Sequence, residues 1–373
     1  MRAVVYSSVG GRPSVEAVTD PECPVDGAIV AVRATGVCRS DWHAWRGHDP
    51  VALPHIPGHE FAGEVVAVGA SVRSFSVGDR VTSPFVNGCG TCSFCLAGDA
   101  QVCPSQTQPG FTHPGSFAEL VAVRAADTNL VRLPDALEYP AAAALGCRFA
   151  TAFRALTAHA RLVAGESVAI IGCGGVGLSA VMIARALGAR VLAVDPSEAA
   201  RARAVAVGAD RAIDMSVPFD AAVPFDAAVS SSVSSSGSEA YSSVLSLYEL
   251  SGVFDFAPDG VHVTVDAVGS AATADAAVRS LRRRGRHVQV GLMLGVDAVA
   301  PLPWDLVVAR ELSVHGSHGM AAADYPEMLA MVADGRLDPA ALIGRTITLD
   351  EAPDALMAMD QPATGGGMTV ISL

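Results

Sequence analysis

Up to about residue 135, apolar and polar positions alternate in short runs broken by glycine and proline. GAIVAVRATGV (27–37) and FAGEVVAVGASVRSFSVGDRV (61–81) are examples. Many short strands with frequent turns predict a barrel-like β domain. From about residue 140 the period changes. Long alanine-rich helical stretches now alternate with apolar strands, as in SVAIIG (167–172), LSAVMIARALG (178–188) and RVLAVD (190–195). That alternation predicts parallel βαβ units and a doubly wound sheet. VHVTVDAVG (261–269), GRHVQVGL (285–292) and LSVHGSHG (312–319) continue the strands, and a helical segment and a strand-like MTVISL (368–373) follow after about residue 318.

One stretch departs from this pattern. Residues 217–229 repeat VPFDAA in tandem and run into SSSVSSSGS, so 217–238 buries little apolar surface and is expected to be a flexible surface insertion without a catalytic role. A functional lid is the alternative.

At 373 residues, half of them hydrophobic, the chain suits two domains with an ample interior. The segment MRAVVYSSVGG has no apolar core followed by a cleavage site, and no charge-free apolar run is long enough to span a bilayer. A soluble cytoplasmic protein is expected. The net charge is −13, and all 25 basic residues are arginine. Without a lysine amine, Schiff-base, pyridoxal-phosphate and P-loop kinase chemistries are excluded. The acidic balance disfavours nucleic acid. The one arginine run, Arg282 to Arg284 with Arg286, reads as a solvated helix end.

The eight cysteines are at 23, 38, 89, 92, 95, 103, 147 and 173. Tight thiol spacing in a soluble chain favours metal over disulfides. CGTCSFCLAGDAQVC (89–103) is a C-x2-C-x2-C-x7-C array, and glycines 88, 90 and 98 permit tight turns. Cys89, Cys92, Cys95 and Cys103 can close a tetrahedron around zinc. Four thiolates leave a formal charge of about −2 and no open position, so the site is structural. An iron–sulfur cluster is the competing cofactor.

IIGCGGVGLSA places Gly172, Gly174, Gly175 and Gly177 after a strand and at the start of a helix, where backbone can approach a pyrophosphate. RVLAVD then ends in Asp195, whose carboxylate suits a ribose hydroxyl and repels a 2′-phosphate, favouring NAD over NADP. Arg201 and Arg203 are expected to lie too far along the next helix to reverse this.

Three residues remain for a second, open metal site: Cys38, His59 and Cys147. Their separations are large, and each alone is more often an ordinary packing residue. The set is what distinguishes them. Cys38-x-Ser40-x-x-His43, Gly58-His59-Glu60 followed by Gly63, the cysteine lobe and the glycine-rich turn occur in the order found in zinc-dependent alcohol dehydrogenases. The chain resembles that branch of the medium-chain dehydrogenase/reductase family over nearly its whole length, apart from the insertion.

The resemblance implies a GroES-like catalytic domain (1–150, completed by 318–373) and a Rossmann cofactor domain (151–317). It implies one catalytic and one structural zinc, NAD, and reversible hydride transfer between a primary or secondary alcohol and the cofactor. Two thiolates and an imidazole leave zinc near neutral with an open position, which suits a Lewis acid for a neutral alcohol. Ser40 can pass on the released proton, and by resemblance the path continues through the cofactor ribose to His43. Asp41 would orient His59. Glu60 would tune or transiently ligate the zinc, or else pair with an arginine. Thr151 would pack beside the nicotinamide and Arg39 would meet the pyrophosphate.

Ser40, Trp45, Phe85 and Phe111, with Trp304 as a weaker candidate, would line an alcohol cleft suited to small or planar substrates rather than polyols. His48, His55 and His113 read as packing or rim residues. A homo-oligomer, dimer or tetramer, is expected, with no membrane or nucleic-acid partner. The alternatives are a zinc-free enone or quinone reductase of the same fold, a non-catalytic NAD-binding protein, and a zinc module that binds nucleic acid.

Overall fold

The structure is a computed structural model that describes residues 1–215, 250–361 and 367–373; the expected insertion at 217–238 lies outside the described residues. The chain forms two compact units, Met1–Arg154 with His318–Leu373, and Ala155–Ser317. Among the described residues, no helix is long and apolar enough to cross a membrane.

The first unit carries β1 (Arg2–Val5), β2 (Ser14–Ala17), β3 (Ala28–Val37), β4 (Glu60–Val68), β5 (Arg80–Thr82), β6 (Leu120–Val123) and β7 (Val131–Arg132). In the second unit are β8 (Ser167–Ile171), β9 (Arg190–Val194), β10 (Arg211–Ile213), β11 (Val261–Asp266), β12 (Leu281–Gln289) and β13 (Ser313–Gly316). The C-terminal segment returns β14 (Ile343–Thr348) and β15 (Met368–Ser372) to the first unit.

In the first unit the order is β14-β15-β3-β4-β5-β7, with β6 on β3. All these pairings are antiparallel except β14 with β15. β1 and β2 form a separate antiparallel pair. Val30, Val32, Phe61, Val65, Val81 and Val121 close its core, which is why the short runs alternate in hydropathy. β3 and β4 come so close that a Cβ on Gly63 would lie 2.0 Å from the Ala31 carbonyl oxygen. Glycine at that position lets the two strands pair, and the pairing sets Gly36 opposite Glu60.

The second unit has the order β10-β9-β8-β11-β12-β13, every pair parallel. Its central strand β8 is buried at all five positions, as a parallel strand covered on both faces requires. The arginine run corrects the sequence reading. The preceding helix ends at Arg279, and Arg282 to Arg286 belong to β12, where the register with β11 is irregular. Buried Leu281 and Val288 hold that strand in the sheet, and Arg286 reaches Glu166 at 2.5 Å.

Candidate active site

Cys38 follows the last residue of β3, and His59 precedes the first residue of β4. The antiparallel register therefore brings two residues 21 positions apart to the same end of the sheet. Cys147 arrives on a wide helical turn, Leu145–Phe149, of the kind that recurs at functional sites. The donor atoms of Cys38, His59, Glu60 and Cys147 all lie within 4.8 Å of one another.

Asp41 ties this cluster together. It is fully buried on α1 (Arg39–Trp45), and its carboxylate accepts hydrogen bonds from Cys38 N (2.9 Å), Gly58 N (3.0 Å) and His59 Nδ1 (3.0 Å). With Nδ1–H donating to Asp41, a neutral His59 ring carries its lone pair on Nε2, where a proton or a cation can bind. That atom is buried and has no hydrogen-bond partner, a cost that buried polar atoms rarely bear unless something else binds them. Burial opposes protonation of His59, yet Asp41 holds its pKa well above the ordinary range.

The sulfurs show the same incompleteness. The hydrogen bond from Cys147 holds the Cys38 thiol well below its usual pKa, while that bond and burial drive Cys147 well above. The two shifts run in opposite directions, so without a cation the second thiol resists ionisation. A divalent cation is what lets both be thiolates, so this donor set fits zinc.

Glu60 lies beside the other donors and pairs with an arginine, as one of its two sequence readings had it. Its carboxylate lies in the donor cluster and also grips Arg148 through Nε (2.9 Å), the backbone N (3.2 Å) and Nη2. Burial pushes the Glu60 carboxyl up, with the guanidinium opposing it. A Cβ on Gly36 would lie 2.5 Å from Glu60 Oε2, so glycine at 36 makes room for the pair. Arg148 was missed from sequence. Its signal was a lone charge inside the apolar run AAAALGCRFATAF.

The cysteine lobe converges as its spacing requires. The sulfurs of Cys89, Cys92, Cys95 and Cys103 lie within 4.8 Å of one another, with Cys92 3.5 Å from Cys95 and 3.7 Å from Cys103. The Cys89 and Cys95 amides point at sulfur, at 3.4 Å to Cys103 and 3.5 Å to Cys92. Burial pushes Cys95 up to about 12, while hydrogen bonds from Thr91 lower Cys89 to about 6. Without a cation, such a cluster does not hold four thiolates together.

Around the Cys38–His59–Cys147 donors, Ser40 Oγ lies 3.8 Å from Cys38 Sγ. The rings of Phe111 and Phe85 face His59 at 5.2 and 6.1 Å. His318, not foreseen, abuts Phe85 edge-on at 5.3 Å. Trp45 departs from expectation: it is buried in a cluster with Tyr6 and Leu356, and its indole N–H donates to the Gly11 carbonyl. Its helix turns that side chain toward the apolar interior rather than toward His59. Trp304, on the second unit, is 60% exposed.

His43 meets His48 through their Nδ1 atoms at 3.0 Å, and His55 Nε2 meets the Gly110 carbonyl at 2.8 Å. Arg39 donates to the Met359 carbonyl at 2.6 Å, and Thr151 is buried on the helix Ala150–Arg154.

In the second unit, α2 (Gly175–Ala186) starts directly after Gly174. Gly172 has φ +89°, and a Cβ on Gly177 would fall 1.7 Å from the Gly172 carbonyl oxygen, so the turn packs only with glycine. Asp195 accepts from Cys173 N in that turn (2.7 Å) and from Ser197 N (2.8 Å). Arg201 corrects the sequence reading, because its guanidinium folds back to the Asp195 carbonyl at 2.7 Å. Helical side chains lean toward the helix N-terminus, which brings it within reach.

If Asp41 orients the metal-binding imidazole, Asp41→Asn removes the charge that fixes its tautomer. Zinc affinity at the Cys38–His59–Cys147 cluster should fall about 10–100-fold. Competition against a chelator will show one weakened zinc and one unchanged zinc held by the cysteine lobe.

Comparisons with known proteins identify the family. A model of the alcohol dehydrogenase GroES-like domain matches residues 25–135, and a zinc-binding dehydrogenase model matches residues 175–334. An alcohol dehydrogenase of Geobacillus stearothermophilus is 31% identical over 98% of this chain and 97% of its own. A sorbitol dehydrogenase of Halalkalibacterium halodurans is 29% identical over 96% of both. A solved structure described as an NAD-dependent alcohol dehydrogenase is 27% identical, covers 100% of both chains and superposes with a TM-score of 0.82. These matches do not favour the zinc-free reductase reading. By sequence, fold and cofactor chemistry, the chain belongs to the zinc-dependent alcohol dehydrogenases of the medium-chain dehydrogenase/reductase family.

Proposed function

We propose that Cys38, His59 and Cys147 hold the catalytic zinc of this NAD-dependent alcohol dehydrogenase, and that Cys89, Cys92, Cys95 and Cys103 hold a structural one. The observation that carries the reading is the buried, unpartnered Nε2 of His59, facing two sulfurs. When bound, zinc supplies the Lewis acidity that lowers the proton affinity of the alcohol, and NAD supplies the hydride acceptor.

The chain's own groups do the rest. Asp41 keeps the His59 Nδ1–H engaged so that Nε2 remains a ligand atom. Glu60 adds negative charge beside the two sulfurs, and Arg148 offsets it. Ser40 Oγ, next to Cys38, accepts the alcohol proton while its own hydrogen moves on, and His43 is where that proton leaves the site.

In the second unit, Gly172, Gly174, Gly175 and Gly177 admit the pyrophosphate at the start of α2, and Asp195 receives the ribose hydroxyls. In the first unit, Arg39 serves the pyrophosphate and Thr151 the nicotinamide. The free thiols suit a reducing cytosol. The edge strand β13, and the exposure of Val314, Val296 and Val299 on the second unit, support self-association as a dimer or tetramer.

The Phe85 and Phe111 rings on His59 favour small or planar alcohols. A polyol is the second reading, favoured by similarity to the sorbitol dehydrogenase. Rates of NADH formation on primary, secondary, benzylic and polyol alcohols are expected to rank polyols last; a polyol optimum reverses the assignment.

Ser40→Ala should cut the single-turnover rate of alcohol oxidation by roughly 10²-fold. The Kd for NAD should hold steady, and a parallel loss of cofactor affinity would count against the relay. Asp195→Ala should narrow the preference for NAD over NADP, read from kcat/KM for each. Arg201, which donates to the Asp195 and Pro196 carbonyls, would supply a nearby cation for a 2′-phosphate once the carboxylate is gone.

A further inference from the structure

His43 and His48 stand closer than two unrelated surface histidines. Their Nδ1 atoms are 3.0 Å apart, and each ring also packs against Trp42, at 5.0 and 5.3 Å between centroids. The backbone is built for this meeting. Helix α1 ends at Trp45, and Gly47 turns the chain with φ +78°. The His48 amide then donates to the His43 carbonyl at 2.9 Å. A Cβ on Gly47 would lie 2.8 Å from Val9 Cγ1, so glycine is needed at that turn for space as well as for φ.

A neutral imidazole has one N–H and one lone pair. Two lone pairs at 3.0 Å repel, and so do two N–H groups, so a single proton lies between the rings. His48 is exposed and His43 only half so. The exposed ring gains most by giving its Nε2–H to water, which leaves its Nδ1 as the acceptor.

We propose that His48 is a positioning residue for proton transfer: it accepts the Nδ1–H of His43, so that His43 presents a bare Nε2 to the outgoing proton. This rests on the relay reading of His43. No bond other than N–H changes. The proton binds His43 Nε2, and the imidazolium so formed keeps its Nδ1–H on His48, which steadies the positive charge as a carboxylate does for other histidines. Several charges face the pair. Arg39 lies over Trp42, Asp49 is adjacent, Cys38 lies on the inner side, and the Arg46–Asp360 pair accepts the Trp42 indole N–H through Asp360. Burial is the largest influence on the His43 pKa and lowers it, which keeps the ring a base at neutral pH.

Nitrogen-15 spectra of the histidine rings test the tautomer directly, without turnover. His43 should be protonated at Nδ1 in the unmodified protein and become a tautomer mixture in His48→Ala; an Nε2–H form in the unmodified protein overturns the proposal. In single-turnover alcohol oxidation, His48→Ala should lose roughly tenfold in rate with KM unchanged. His48→Asp puts a negative acceptor on the same proton and should move the acidic limb of the pH profile upward by about one unit.

A merely structural His48 would leave that limb in place, and this result sinks the idea. His43→Ala separates the two levels. If it leaves the rate and the limb unchanged, the relay itself fails. If it lowers the rate while neither His48 variant moves the limb, only the role of His48 fails.

Discussion

The site depends on one buried carboxylate. Asp41 satisfies three donors from two chain segments, the amide after β3 and the amide and imidazole before β4. Each of those donors would be costly to bury unpaired, so the carboxylate makes the register of β3 on β4 and the orientation of His59 a single decision. The same contact gives His59 its free Nε2. Removing the charge would therefore disturb fold and metal chemistry at one point.

The two sulfur clusters differ by what surrounds them, not by how tightly their donors gather. The lobe draws four cysteines from 15 consecutive residues and points backbone amides at them. Amides facing sulfur offset excess negative charge, which suits a closed and inert site. The other cluster draws its donors from three separate elements and adds an imidazole in place of two thiols. Its surplus charge is Glu60, held by Arg148 within the protein, so the local charge stays close to balanced, which would suit a zinc with an open position.

The glycines of the motif sequences are explained by specific close approaches. Gly63 admits the Ala31 carbonyl, Gly36 admits the Glu60–Arg148 pair, and Gly177 admits the Gly172 carbonyl. Gly47 is of the same kind, although no motif contains it. It brings His48 back onto His43, a contact that lies outside the motif sequences.

What the sequence alone determined are the features carried by local periodicity and tight spacing. The period change near residue 140 separated the antiparallel from the parallel sheet, SVAIIG and RVLAVD read directly as buried strands, and CGTCSFCLAGDAQVC defined its cluster, because each of these depends on neighbours within a few residues. Cys38, His59 and Cys147 were legible only through resemblance, since nothing local says that residues up to 109 positions apart will meet. The pairing of Glu60 with Arg148, the placement of Trp45 away from His59, the return of Arg201 to Asp195 and the contact of His43 with His48 were decided by tertiary structure. In each case strand register, or the lean of a helical side chain, selects the partner, and neither is visible until the chain has packed.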